Sequence, residues 1–183
     1  STNKTLIAYS KASASNHGTA VVATVSGTAI SFGSPVTFNA ASTSQIGAVY
    51  SPTAKKTVIT YRDVGNSGYG TLVNATISGT SVSFSSEFVF SAGSSSYTAP
   101  AYDSNANKVV IAYRDQANSN YGTGVVYTVP STNNTDFLGI TDAAISSGAS
   151  GSVTIKGGIV SNSSLLPSVV SGSAGSSVTF EPG

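Results

Sequence analysis

From Lys56 to Asp103, apolar and polar residues alternate in short runs that Gly, Ser and Asn interrupt. Alternation with a period of two marks a strand that buries one face. The runs predict four strands at about residues 56–62, 70–77, 81–90 and 98–103. Between them lie the Asp63–Gly68 loop, the Ser78-Gly79-Thr80 turn and the Ser91–Ser96 loop. Gly79 is free to take a positive φ, so the second and third strands read as a tight hairpin. No stretch of useful length carries the 3.6-residue period of an amphipathic helix.

The pattern returns along the chain. Tyr9-Ser-Lys-Ala-Ser-Ala-Ser-Asn-His-Gly-Thr19, Tyr61-Arg-Asp-Val-Gly-Asn-Ser-Gly-Tyr-Gly-Thr71 and Tyr113-Arg-Asp-Gln-Ala-Asn-Ser-Asn-Tyr-Gly-Thr123 start 52 residues apart. The same offset joins Lys4, Lys56 and Lys108, then Gly18, Gly70 and Gly122, and then Thr24, Thr76 and Thr128. Phe32, Phe38 and Tyr50 answer in the same way to Phe84, Phe90 and Tyr102. So many matches at one period, without an insertion, define a repeat. Two full copies occupy 4–55 and 56–107, and a partial third covers 108–129. Pro130 breaks the third copy, and Ser131-Thr-Asn-Asn-Thr135 stands where the Ser-Gly-Thr turn is expected. The chain thus divides into a repeat region, 1–130, and a small C-terminal β module, 131–183. Within the latter, Phe137-Leu-Gly-Ile-Thr141, Val153-Thr-Ile-Lys156 and Val178-Thr-Phe180 read as three further strands. They form either a small β domain of their own or the missing part of the third sheet.

The fold class is therefore all-β, and a four-stranded antiparallel unit every 52 residues has the size and content of a β-propeller blade. One such sheet cannot bury both of its faces, so neighbours must stack, and a closed ring takes roughly four to eight blades. Two full copies fall short of that. The expected partners are further repeats of a longer chain or other copies of this one, a trimer with two blades from each chain among the options. Leu6, Tyr9, Val58, Tyr61, Val110 and Tyr113 are the expected inter-sheet core.

The unit K-[VT]-[VL]-I-[AT]-Y-R-D-x-x-N-S-x-Y-G-T, followed by T-[VI]-S-G-T-x-[IV]-S-F, resembles repeats of long propeller-like proteins from phage and bacteria. The segment from Phe137 to Val160 is similar to a terminal module that closes such chains, and to small β domains of phage decoration and tail proteins. The two resemblances cover 4–129 and 137–160. They imply a virion-surface or adhesive setting, with other virion or appendage proteins as neighbours. The first copy departs from the motif, with Ser10 and Lys11 in place of Arg and Asp and His17 in place of Tyr.

Composition narrows the function classes. Charged residues make up 8% of the chain and the formal net charge is +1, so there is no electrostatic footprint for nucleic acid or an anionic membrane. No apolar run approaches the roughly 20 residues of a membrane helix, and membrane insertion is not expected. The absence of Cys removes disulfides, thiolate nucleophiles and thiolate metal sites. Without Met at position 1, the chain is expected to be a piece of something longer.

The candidate ligand-binding residues are Arg62, Asp63, Asn66 and Tyr69, with their copies Arg114, Asp115, Asn118 and Tyr121. A planar cation, a carboxylate, an amide and an aromatic face repeated on one rim suit sugar hydroxyls and pyranose faces, so a cell-surface glycan is a candidate partner. The competing role is structural: Asp and Asn hold turns through their own backbone, and Arg and Asp pair across the loop. Calcium is disfavoured, because one Asp per copy supplies few of the six to eight oxygens it needs. His17 is the one histidine and its sister positions are Tyr69 and Tyr121, which marks it as a loop filler rather than a catalytic base. No catalytic residue, metal or cofactor is therefore expected. Asn3, Asn74, Asn133 and Asn162 head N-x-[ST] sequons that a Ser/Thr-rich chain generates by chance. The sequence points to a non-enzymatic structural or adhesive component on a virion or extracellular surface, or to a lectin-like glycan binder.

Overall fold

The computed structural model describes residues 3–131 and four short bridges, Ile140–Thr141, Val153–Thr154, Val170–Ser171 and Ser177–Val178. The chain divides into two compact units, Ser1–Ser131 and Thr132–Gly183. The first is all strand apart from turns and single-turn 3-10 helices: β1 (Lys4–Lys11), β2 (His17–Ser26), β3 (Ala29–Phe32), β4 (Val36–Ser51), β5 (Lys56–Asp63), β6 (Tyr69–Ser78), β7 (Ser81–Phe84), β8 (Phe88–Asp103), β9 (Lys108–Asp115) and β10 (Tyr121–Tyr127). These make one antiparallel ten-stranded sheet that does not close. Its order is β1-β2-β4-β5-β6-β8-β9-β10, with β3 alongside β2 and β7 alongside β6.

The two 16-residue strands, β4 and β8, give the sheet its shape. β4 pairs with β2 through Val36–Ser42 and then with β5 through Thr43–Ser51. β8 pairs with β6 through Phe88–Ser94 and then with β9 through Ser95–Asp103. Each carries a register shift, between Ser44 and Gly47 and between Ser96 and Ala99. Gln45 (φ 52°) and Tyr97 (φ 56°) sit in those shifts in the left-handed region, and such bulges bend and twist a strand. The sheet thereby turns into a first segment (β1 to early β4), a middle segment (late β4 to early β8) and a third (late β8 to β10).

Successive residues of a strand face opposite sides, and the middle segment uses both. Ile59 and Tyr61 of β5, with Val73 and Ala75 of β6, join Ala20, Val22 and Phe38 of the first segment in one apolar cluster. Val58 and Leu72 face the other way, into a second cluster with Val109 and Ile111 of the third segment. The hairpins form as the sequence demands: Ser78 pairs with Ser81 around Gly79 (φ 61°), and Ser26 with Ala29 around Gly27 (φ 59°).

Two expectations are corrected. The Ser91–Ser96 loop does not exist, because β8 runs through it, and the break falls earlier, at residues 85–87. The serines there are small enough to be buried, at 0% exposure for Ser95 and 2% for Ser96, and the Ser95 hydroxyl is satisfied locally by the Gly93 carbonyl at 3.1 Å. At the true break Ser85 bonds to both ends of Asn74: its backbone N–H donates to the Asn74 carbonyl, and its Oγ accepts from the Asn74 N–H, each at 3.0 Å.

The second correction concerns the core. Val58 and Tyr61 are fully buried as expected, but Leu6, Tyr9 and Tyr113 are only half-buried and Val110 is 38% exposed. Val110 lies on the face of the third segment turned away from its cluster, while Val109 and Ile111 take the inward positions.

Asn74, in β6, is 5% exposed and donates from Nδ2 to the Tyr127 hydroxyl at 2.7 Å, so its sequon is closed in the folded chain. In the second unit, Ile140–Thr141 pairs antiparallel with Val153–Thr154, and Val170–Ser171 with Ser177–Val178. The remainder of the strands expected at 137–141, 153–156 and 178–180 lies outside the described residues, as do Asn133 and Asn162.

Candidate functional site

The eight candidate residues flank two equivalent loops, one from β5 to β6 and one from β9 to β10. Asp63 is 4% exposed, and its Oδ1 accepts the Asn66 N–H at 3.2 Å, capping a single 3-10 turn over Val64–Asn66. Ser67 (φ 55°) and Gly68 (φ 74°) then reverse the chain, and the Gly68 N–H closes onto the Asp63 carbonyl at 2.8 Å. In the second loop, Asp115 Oδ1 accepts from the N–H groups of Ala117 at 3.0 Å and Asn118 at 3.2 Å. Both carboxylates are thus occupied in holding their own turns, as short acidic side chains do. Asn66 and Asn118 are exposed. Tyr69 is half-buried, whereas Tyr121 is 64% exposed.

Pairing of Arg with Asp across the loop is not observed. Arg62 and Asp63 are consecutive strand residues, so their side chains leave opposite faces of the sheet. Arg62 Nη2 instead donates to Ser94 Oγ at 3.2 Å, and the Ser94 hydroxyl donates to Gln116 Oε1 of the second loop. A backbone bond from the Gln116 N–H to the Ser94 carbonyl at 2.9 Å runs beside them, so the two loops are tied through β8. Arg62 Nε is buried without a partner. Arg114 donates from Nε to Ser96 Oγ at 3.1 Å and places its guanidinium 5.1 Å from the ring centroid of Tyr97.

Tyr97, with a 67% exposed side chain on a left-handed backbone, was not among the sequence candidates. The corresponding residue of the first copy is Gln45, so repetition gives no sign of it. The signal that was present is an aromatic residue inside a Ser run. Gln45 and Tyr97 meet, with the Tyr97 N–H donating to Gln45 Oε1.

Behind the first loop, the Tyr61 hydroxyl donates to Glu87 Oε1 at 2.9 Å. Burial, together with the Glu87 charge and hydrogen bond and the Asp63 charge, pushes its pKa far above the usual tyrosine range, so it stays neutral. His17 is half-buried at the start of β2, across from Lys11 and Ser42. Among the described residues, no group of three or more His, Cys, Asp or Glu side chains converges. A cavity of about 940 Å³ lies elsewhere, lined by residues that include Lys4, Leu6, Val49, Tyr50, Lys55 and Ile77, and none of the eight candidates borders it.

No known protein family, curated protein or solved structure matches the chain.

Proposed function

We propose that the chain is a non-enzymatic structural and adhesive module in which 52-residue, propeller-like blades stack into a scaffold. Its setting on this reading is a virion tail fibre, a surface decoration or another extracellular appendage, and it works as a homo-oligomer among other appendage proteins. One observation carries the scaffold reading: the middle segment buries both faces, one against each neighbouring segment, so that the segments stabilise each other in series. The loops support it as well, since their Asp and Arg side chains brace backbone and neighbouring strands. Analytical ultracentrifugation combined with electron microscopy of the particles tests the assembly. A multimer of fixed size or a fibre is expected, and a strictly monomeric, well-folded species contradicts it.

A second reading, glycan binding, is favoured by the exposed rings of Tyr121 and Tyr97, the latter beneath Arg114. Flat aromatic faces with adjacent donors suit pyranose rings. Changing Tyr97 and Tyr121 together to Ala is expected to abolish signal on a glycan array while leaving melting nearly unchanged, since both rings are exposed. Retained signal ends that reading.

A further inference from the structure

β5 and β9 are each flanked on both sides. β5 lies between β6 and Thr43–Ser51 of β4, and β9 lies between β10 and Ser95–Asp103 of β8. β1 occupies the same place in the first segment and pairs with β2 on one side. Among the described residues no strand meets its other edge, so a row of N–H and C=O groups from Lys4 to Lys11 is left without a strand partner.

A cavity adjoins β1 as well. The 940 Å³ cavity is walled by Lys4, Thr5 and Leu6 of β1 on one side and by Ala48, Val49 and Tyr50 of β4 on another. Between the middle and third segments, late β4 and the turn after it contribute Val49 and Ala54 to the core that holds Val58 and Val109. The first segment has no such contributor among the described residues, and the cavity lies where one would pack.

We infer that β1 is a strand acceptor: its edge, unpaired among the described residues, and the adjoining cavity take an extended segment of another polypeptide with the chemistry of Thr43–Ser51. Strand addition to an exposed edge draws affinity from main-chain hydrogen bonds and selectivity from pockets for alternate side chains. The register follows from β4 on β5 and β8 on β9. The guest runs antiparallel, starting opposite Lys11 and ending opposite Lys4, as Thr43 to Ser51 run from Asp63 to Lys56. Leu6 of β1 and Ala48 of late β4 line the cavity and offer apolar contact, so alternate guest residues are small or aliphatic. Lys4 and Lys55 stand at the end where the guest terminates. The residues ending the two in-chain guests, Ser51 and Asp103, are polar or acidic, and Asp103 lies opposite Lys108. The guest is therefore a neutral or mildly acidic strand of small, hydroxyl-bearing and aliphatic residues, as 43–51 and 95–103 are. The inference rests on the correspondence of the segments and not on a virion setting or on self-assembly, so a monomeric chain that accepts the strand keeps it while sinking the assembly reading.

The test adds a synthetic peptide with the sequence of residues 43–51 to the whole chain and follows binding by calorimetry and backbone exchange by NMR. Saturable one-to-one binding is expected, with slowed exchange at the β1 amides that do not bond to β2 and no effect from a scrambled peptide. Ala48→Trp, an exposed position that lines the cavity, is expected to fold normally and to lose binding. Absence of protection, protection at β10 instead of β1, or undiminished binding to A48W overturns the inference. So does slow β1 exchange before any peptide is added, which assigns the edge to a second copy if it depends on concentration and to this chain's own residues if it does not.

Discussion

β5 and β9 have nearly the same sequence, KTVITYRD and KVVIAYRD, and occupy equivalent places in their segments. Six of the eight residues of β5 are buried, whereas only Val109 and Ile111 of β9 are. The two substitutions between them do not cause this, since Val58 and Val110 are the same residue with 0% and 38% exposure. The cause is what lies above and below. β5 has a segment packed on each face, while β9 has one packed face and one open face among the described residues. In stacked sheets, local sequence decides that a strand forms, and position in the stack decides what it buries.

That contrast can be broken most severely at the fifth position of each strand. Thr60 is fully buried and Ala112 is exposed. Thr60→Arg forces an unpaired charge between two segments and is expected to cost several kcal/mol, enough to unfold the repeat region. Ala112→Arg is expected to stay within about 0.5 kcal/mol of the parent. Urea unfolding followed by circular dichroism reads both. Comparable losses at the two sites would mean that the outer face of the third segment is covered.

Removing two methyl groups at the third position is a gentler version of the same test. Val58→Ala is expected to cost about 2 kcal/mol through lost burial and a residual cavity, and Val110→Ala less than about 0.5 kcal/mol. Denaturant midpoints with unchanged slopes check this.

The loops give a smaller difference. Asp63 is buried and caps its 3-10 turn, so Asp63→Ala is expected to lower stability by about 1 kcal/mol. Asp115 makes two such bonds but is more exposed, so Asp115→Ala is expected to cost less. Thermal melts of the two variants suffice to rank them.

The last difference concerns Tyr61 and is read in the alkaline range. Its folded-state pKa is raised by burial, by Glu87 and by Asp63, so the folded chain holds this proton more tightly than the unfolded chain, whose tyrosines titrate near 10. The corresponding stability is present in full below about pH 10 and is lost progressively as the pH rises beyond it. Tyr61→Phe is expected to flatten the alkaline loss while costing about 1 kcal/mol at pH 7 for the hydrogen bond to Glu87. An unchanged alkaline slope in the variant would show that Tyr61 is not the responsible group.

Much of the strand pattern was legible because alternation and turn residues are local signals. Lys56–Asp63 and Tyr69–Ser78 lie within a residue of their expected bounds, and Gly79 turns where it should. The continuity of β8 was not legible, because Ser91–Ser96 has the composition of a loop and becomes a strand only when its small hydroxyls are enclosed between segments. The opposite facing of Arg62 and Asp63 was implicit in the period of two that predicted their strand. The long-range partner of Arg62 was not, since Ser94, itself bonded to Gln116, meets Arg62 only through the turn of the sheet at β8. Tyr97 was hidden because it owes its exposure to a bulge that the alternation does not encode.

Native-state hydrogen exchange, resolved by residue, tests the stacked arrangement most directly. Amides of β5 and β6 are expected to exchange only through global unfolding, while those of β9 and β10 open together at lower free energy because one of their faces is uncovered among the described residues. If β9 and β10 exchange as slowly as β5 and β6, or if the middle strands open first, serial stacking of the segments is not what stabilises this chain.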